Sequence, residues 1–218
     1  MPSAAQTIAV IDFETTGISP GQGARATEIA AVLVSGGRIV DRYASLMHSG
    51  AWVSPFIEQL TGISNAMLHD APPAARVMRE VLHFTQGVPL IAHNAAFDRA
   101  FWCAEALRAG LDPDPAHEFA CTVLLSRRLY PHAPNHRLGT LAALHHLPSA
   151  GRAHRALADA EVTAHLVLQI QRDVRERFAE ELCNREVDHG LLQALQRSEA
   201  RALQRCVARY GRAEATAL

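Results

Sequence analysis

The chain has 218 residues, 49% apolar and 20% charged, with a formal net charge of −1. That balance suits one sizeable domain with a real core and excludes a disordered chain or a polycation that coats duplex nucleic acid. No apolar run approaches the roughly 18 residues that span a bilayer, and the opening MPSAAQTIAV has no secretion-signal pattern. A cytoplasmic location without membrane attachment is expected.

In chain order, Thr7–Phe13 reads as a buried strand. Glu28–Val34 and Arg38–Leu46 read as two more, joined by Ser35-Gly36-Gly37, which has hairpin chemistry. Pro72-Pro73 precedes a helix over Ala74–Thr85 with Val77, Val81 and Phe84 on one face. Pro89–Ala92 is a short apolar strand. It ends in His93-Asn94, and Asn94 is placed to cap a helix that runs through Arg108 and closes at Gly110. Phe119–Thr122 is a further strand. Tyr130–Asn135, with two prolines, is a loop between short helices. Arg155–Asp173 is a strong helix with Val162, Leu166 and Ile170 inward. Hairpin-like strands followed by alternating helices and strands predict an α/β fold with a mixed sheet.

A domain spanning 1–173 is expected, followed by a helical C-terminal extension over 174–218. Gly190 is read as the separator of two amphipathic helices there, with Arg197, Arg201, Arg205 and Arg209 recurring every four residues on the second. The expected reading is a helix with a solvated face, packed on the core or on its neighbour; the sharper reading is a docking surface for a protein partner or for substrate phosphates. Cys103, Cys121, Cys183 and Cys206 are scattered, without zinc-ligand or disulfide-framework spacing. Basic residues are exclusively Arg, which we ascribe to base composition.

Chemistry is carried by acidic residues at strand and helix ends. Asp12 and Glu14 stand two apart on one strand, so both project from one sheet face and repel each other unless a cation sits between them. Asp98 falls in the first turn of a helix launched from the next central strand, and Asp159 lies within Arg155–Asp173. Burying such carboxylates is costly unless something positive holds them, and hard divalent cations take oxygen ligands. His154 and Asp159 are five apart, about 140° around a helix. To share a site, His154 must precede the helix, in the loop ended by Gly151-Arg152-Ala153, where an imidazole is suited to removing a proton from water.

DFETTG, HNAAFD and HRALAD together resemble the three signature motifs of the DEDDh 3′→5′ exonucleases, a family that includes the proofreading subunits of bacterial DNA polymerase III. The likeness extends over about residues 7–172 and takes in CTVLLSRRLYP and HRLGTLAAL. The resemblance implies a ribonuclease H-like fold and two magnesium or manganese ions held by Asp12, Glu14, Asp98 and Asp159, with His154 as general base. It also implies hydrolysis of phosphodiesters at single-stranded 3′ ends, DNA favoured over RNA, with release of nucleoside 5′-monophosphates. Thr15, Thr16 and Gly17 match positions that hold the terminal nucleotide. Ile63 matches a position that packs on a base, and Asn94 one beside the phosphates. Alternatives left open are an exoribonuclease of the same family and a non-catalytic partner-binding module on the same fold. A polymerase or other protein partner through the C-terminal helices is a further expectation.

Overall fold

The computed structural model describes residues 5–114, 116–148 and 151–215. Its centre is a five-stranded sheet of order β3-β2-β1-β4-β5, made of β1 (Ile8–Thr15), β2 (Ala26–Ser35), β3 (Arg38–Leu46), β4 (Leu90–Ala92) and β5 (Phe119–Cys121). β1 pairs antiparallel with β2, and β2 with β3, whereas β1–β4 and β4–β5 are parallel. The expected ribonuclease H-like mixed sheet is what forms. The short parallel strands are apolar throughout because helices cover both their faces.

Between β3 and β4 lie α1 (Pro55–Thr61), α2 (Asn65–His69) and α3 (Ala74–Phe84), and α4 (Ala95–Arg108) follows β4. After β5 come α5 (Thr122–Leu129), α6 (Leu138–Leu144), α7 (Ala156–Arg177), α8 (Ala179–Leu182), α9 (His189–Arg197) and α10 (Leu203–Ala215). Strand alternation divides the core. Ala9, Ile11 and Phe13 face α3 and α4, where they meet Val77, Val81, Phe101 and Trp102. Ile8 and Val10 face the other layer, against Ala160, Val167 and Ile170 of α7. Asp12 and Glu14 continue that second alternation, so the strand's own period aims both carboxylates at the α7 side.

The C-terminal extension departs from expectation in three ways. The boundary placed after residue 173 falls inside α7, which runs on to Arg177. Gly190 does not separate helices; it lies in the first turn of α9, capped by Asp188, which accepts from Leu191 N. Any side chain there would collide with the Tyr210 hydroxyl, 2.2 Å from an ideal Cβ, and that hydroxyl donates to Asp188. The arginine stripe is also broken. Arg197 ends α9, Arg201 sits in a 3-10 turn over Ala200–Ala202, and Arg205 and Arg209 belong to α10. Leu191, Leu192, Leu195, Leu203 and Val207 are buried in the same cluster as Ile8 and Val10. Each fully buried leucine adds about 1.5–3 kcal/mol over leaving it in water, so the tail is part of the core.

Candidate active site

β1, α4 and α7 bring the acidic motifs to one end of the sheet. Asp12 sits opposite Ala30 of β2, and Glu14 opposite Glu28, one residue before a β-bulge. Asp98, 2% exposed in the first turn of α4, accepts a hydrogen bond through Oδ1 from the backbone N–H of Phe13 at 3.2 Å. That bond ties Asp98 to β1 at the residue between Asp12 and Glu14 in sequence. Asp159 is in the first turn of α7, so α4 and α7 both aim the positive ends of their dipoles at the cluster.

His154 stands outside the helix, as its spacing from Asp159 requires. Its backbone is left-handed (φ 61°), and its N–H donates to Asp159 Oδ2 at 3.0 Å. For a non-glycine residue this conformation is uncommon and mildly strained. Here it turns the chain so that ring and carboxylate meet. Ligand atoms of Glu14, His154 and Asp159 all lie within 4.8 Å of one another. Arg152, in the same loop, donates to Gln59 O of α1 at 2.9 Å and passes over Gly62 so closely that a Cβ there would meet its guanidinium.

The electrostatics are those of an acid cluster short of positive charge. Burial, then repulsion from Asp98, Glu14, Asp159 and Glu28, holds the Asp12 carboxyl well above its usual range. Burial pushes Glu14 up to about 8, with Asp159 and Glu28 adding repulsion and Arg155 relieving part of it. Burial likewise raises Asp98 to about 8 against the Phe13 N–H, and raises Asp159 against the His154 N–H. Oxygen donors crowded in this way suit a hard divalent cation, which would remove the repulsion among them.

One residue of this site escaped the sequence reading. Glu28, 5% exposed on β2, takes both Arg155 Nε and Nη2 (3.0 and 2.7 Å) and the Ala156 N–H at 2.9 Å. It thereby fixes the N-terminus of α7, and with it His154 and Asp159, to the strand beside Glu14. Its signal was the polar break in the apolar run of β2, two residues after Ala26.

Two cavities border the acid cluster. The smaller, about 330 Å³, has Asp12, Glu14, His154 and Asp159 on one wall and Ile18, Phe56, Leu60 and Phe97 on the other. The larger, about 650 Å³, shares His154 and Asp159 and extends past Asn94, Arg127, Arg137 and the apolar Val123 and Val162. The expected substrate contacts divide between these places. Thr15 and Gly17 line the smaller cavity, although the Thr15 hydroxyl donates to Gly17 O. The Thr16 hydroxyl accepts from Arg25 N and holds the β1–β2 connection.

Ile63 does not reach either cavity. It is fully buried with Val53 and Leu68 in a small core of its own, because that loop needs an apolar anchor. The exposed apolar surface comes instead from Ile18 (81%) and Phe56 (70%). The alternation in PFIEQL puts Ile57 toward the small core and leaves Phe56 and Leu60 outside. Asn94 precedes α4 but caps nothing. Its left-handed backbone (φ 68°) leaves the side chain without a cap bond and exposed on the larger cavity.

The family model for Exonuclease (RNase_T) matches residues 9–167, which contain the whole acid cluster. The chain belongs to the DEDDh exonuclease family. It is 38% identical over 171 residues to the 3′-5′ exonuclease DinG of Bacillus subtilis, covering 78% of this chain and 18% of that protein. It is 36% identical over 176 residues to the PolC-type DNA polymerase III of Bacillus cereus, covering 80% and 12%. The chain thus spans less than a fifth of the length of these curated relatives.

Among solved structures it is similar to exonuclease X in complex with 5′ overhanging duplex DNA, at 30% identity and TM-score 0.62, covering 76% of this chain and 91% of that one. The nuclease domain of 3′hExo, a DEDDh member bound to rAMP, shares the fold at 20% identity and TM-score 0.67, covering 79% and 95%. Among its described residues the chain presents no helix that is long and apolar enough to cross a membrane.

Proposed function

We propose that the protein removes nucleotides one at a time from single-stranded 3′ ends, DNA in preference to RNA, releasing nucleoside 5′-monophosphates. The observation that carries this reading is the meeting of Glu14, His154 and Asp159 within 4.8 Å, beside Asp12 and the Asp98 that is bonded to the same strand. Asp12, Glu14, Asp98 and Asp159 would hold two magnesium or manganese ions. Such a pair, once bound, neutralises the cluster and stabilises charge on the attacking and leaving oxygens of an in-line displacement.

The chain's own residues supply the rest. His154 is the general base that accepts the proton of the attacking water, held in place by the bond from its backbone to Asp159. Glu28 and Arg155 position the start of α7. The terminal base rests against Ile18, Phe56 and Leu60, and the strand continues through the larger cavity past Arg127 and Arg137. Contacts of this kind tolerate any base, because every base offers an apolar face. Similarity to DNA polymerase III relatives supports DNA as substrate and replication or repair as context.

The test is product analysis on end-labelled, matched DNA and RNA oligomers with magnesium or manganese. The expected result is a ladder shortening from the 3′ end, with 5′-mononucleotides released, faster on DNA and stopped by chelator. Activity undiminished by chelator or by Asp12→Asn would sink the reading, and faster RNA digestion would reverse the substrate preference.

A further inference from the structure

Further along α7 from the acid cluster, a groove of about 480 Å³ lies between that helix, the edge strand β3 and the segment after α6. Arg38 and Arg42 come from β3, His145 and His146 from the end of α6, and His165 and Arg172 from α7. This gathering of cationic and imidazole groups occurs in a chain of net charge −1. Its acidic complement is small. Glu161 is ion-paired with Arg42, and Asp173 accepts from the Tyr130 hydroxyl and from Gln169. Arg38 and Arg172 are exposed, and neither is paired with a carboxylate among the described residues. One ring nitrogen of His145 is buried, again with no partner among the described residues.

Charges on an edge strand discourage pairing with another sheet. That accounts for isolated arginines on β3. It does not account for a concave surface to which β3 and α7 both contribute guanidinium groups and the end of α6 adds imidazoles. Guanidinium groups match phosphate geometry, and imidazoles add further donors.

We propose that this groove is a second contact surface for the nucleic-acid strand, gripping phosphodiesters several nucleotides 5′ of the end being cleaved. The inference rests on the reading of the site as a 3′-end nuclease and adds a length requirement to it. Arg172 lies thirteen residues beyond Asp159 on one continuous helix, about 20 Å along its axis. A strand advancing at least about 3.4 Å per nucleotide crosses that distance in at most about six nucleotides. Short oligomers therefore engage only the catalytic cleft, whereas longer ones also reach the groove. The contacts are to phosphate, so they favour no base sequence.

The experiment compares the wild-type chain with Arg38→Ser/Arg172→Ser on a trinucleotide and on an oligomer of about 16 nucleotides, beyond the roughly six-nucleotide reach. It measures kcat/KM across a range of salt concentrations. Loss of two phosphate contacts should lower kcat/KM on the long substrate about tenfold. It should also make the log–log salt dependence shallower by about 1.4, at about 0.7 per contact on single strands. Turnover of the trinucleotide should be unchanged. Each single variant should show about half of the change in slope. An unchanged long-substrate slope would overturn the groove, as would equal losses on both substrates or a lowered melting temperature that accounts for the loss. A wild-type chain that cleaves neither oligomer with manganese would instead refute the nuclease reading, and the groove with it.

Discussion

Two sets of buried carboxylates stand at the same end of the sheet and are treated in opposite ways. Glu105, 1% exposed on α4, receives Arg25 through Nε and Nη2, Arg108 through Nη1, and the Ala26 N–H. Glu28 is held as fully by Arg155 and the Ala156 N–H. Among the described residues, Asp12, Glu14, Asp98 and Asp159 receive only scattered backbone donors, and they repel one another. A buried acid matched by arginine and N–H groups is architecture, since its charge is satisfied inside the protein. A set of acids left short of positive charge marks a place for something from outside.

That contrast is open to direct attack. Asp12→Asn should abolish nucleotide release and, by removing repulsion, raise the melting temperature in chelator. A lowered melting temperature would place Asp12 with the structural set. His154→Ala should reduce kcat by about 10²–10⁴ with little change in KM, the contribution usual for a general base, as single-turnover kinetics would show. Glu28→Gln lies between the two sets. It should lower activity or metal affinity about 10–100-fold, as for a group that orients ligands without touching the reaction. An effect on melting alone would move it to the Glu105 group. Glu105→Gln should destabilise by about 1–3 kcal/mol, the scale of losing charged hydrogen bonds at a buried acceptor, while activity per folded molecule is unchanged.

The smallest effect expected is a pH dependence. Glu14 and Asp98 rise from ordinary values of 4.5 and 3.8 to about 8 in the fold. Between those limits the native state binds more protons than the unfolded chain, so its stability falls as pH rises. In chelator the melting temperature should therefore drop by several degrees between about pH 5 and 8. Magnesium or manganese should reverse that drop. A melting temperature that climbs over this interval would show the acids to be matched internally after all.

Much of this was legible in the sequence, for identifiable reasons. The period-two alternation of IAVIDFET set both the burial of β1 and the facing of Asp12 and Glu14. The five-residue interval from His154 to Asp159 required a loop-borne histidine, and the loop is there. What escaped depends on partners distant in sequence. Glu28 gains its meaning from Arg155, 127 positions away, and nothing in its own strand announces that partner. Ile63 was placed on the substrate because it matches a family position that packs on a base; whether such a residue faces in or out is decided by Val53 and Leu68 packing on it. The tail was expected to pack on the core or on its neighbour, and its exact contacts escaped for a related reason. Helical periodicity shows that Leu191, Leu195 and Val207 share apolar faces but not that β1 and α7 are what those faces meet.

That last feature bears on anyone seeking to excise a minimal nuclease. Cutting where the motifs end, near residue 173, would remove the last turn of α7 and strip the covering from Ile170, Val167 and the strand behind them. Since the same helix carries Asp159 at its other end, the lost packing would reach the chemistry as looseness in one of its carboxylates. A shortened enzyme would thus be expected to fail first in fidelity of geometry and only later in solubility, and fusion junctions belong beyond α10.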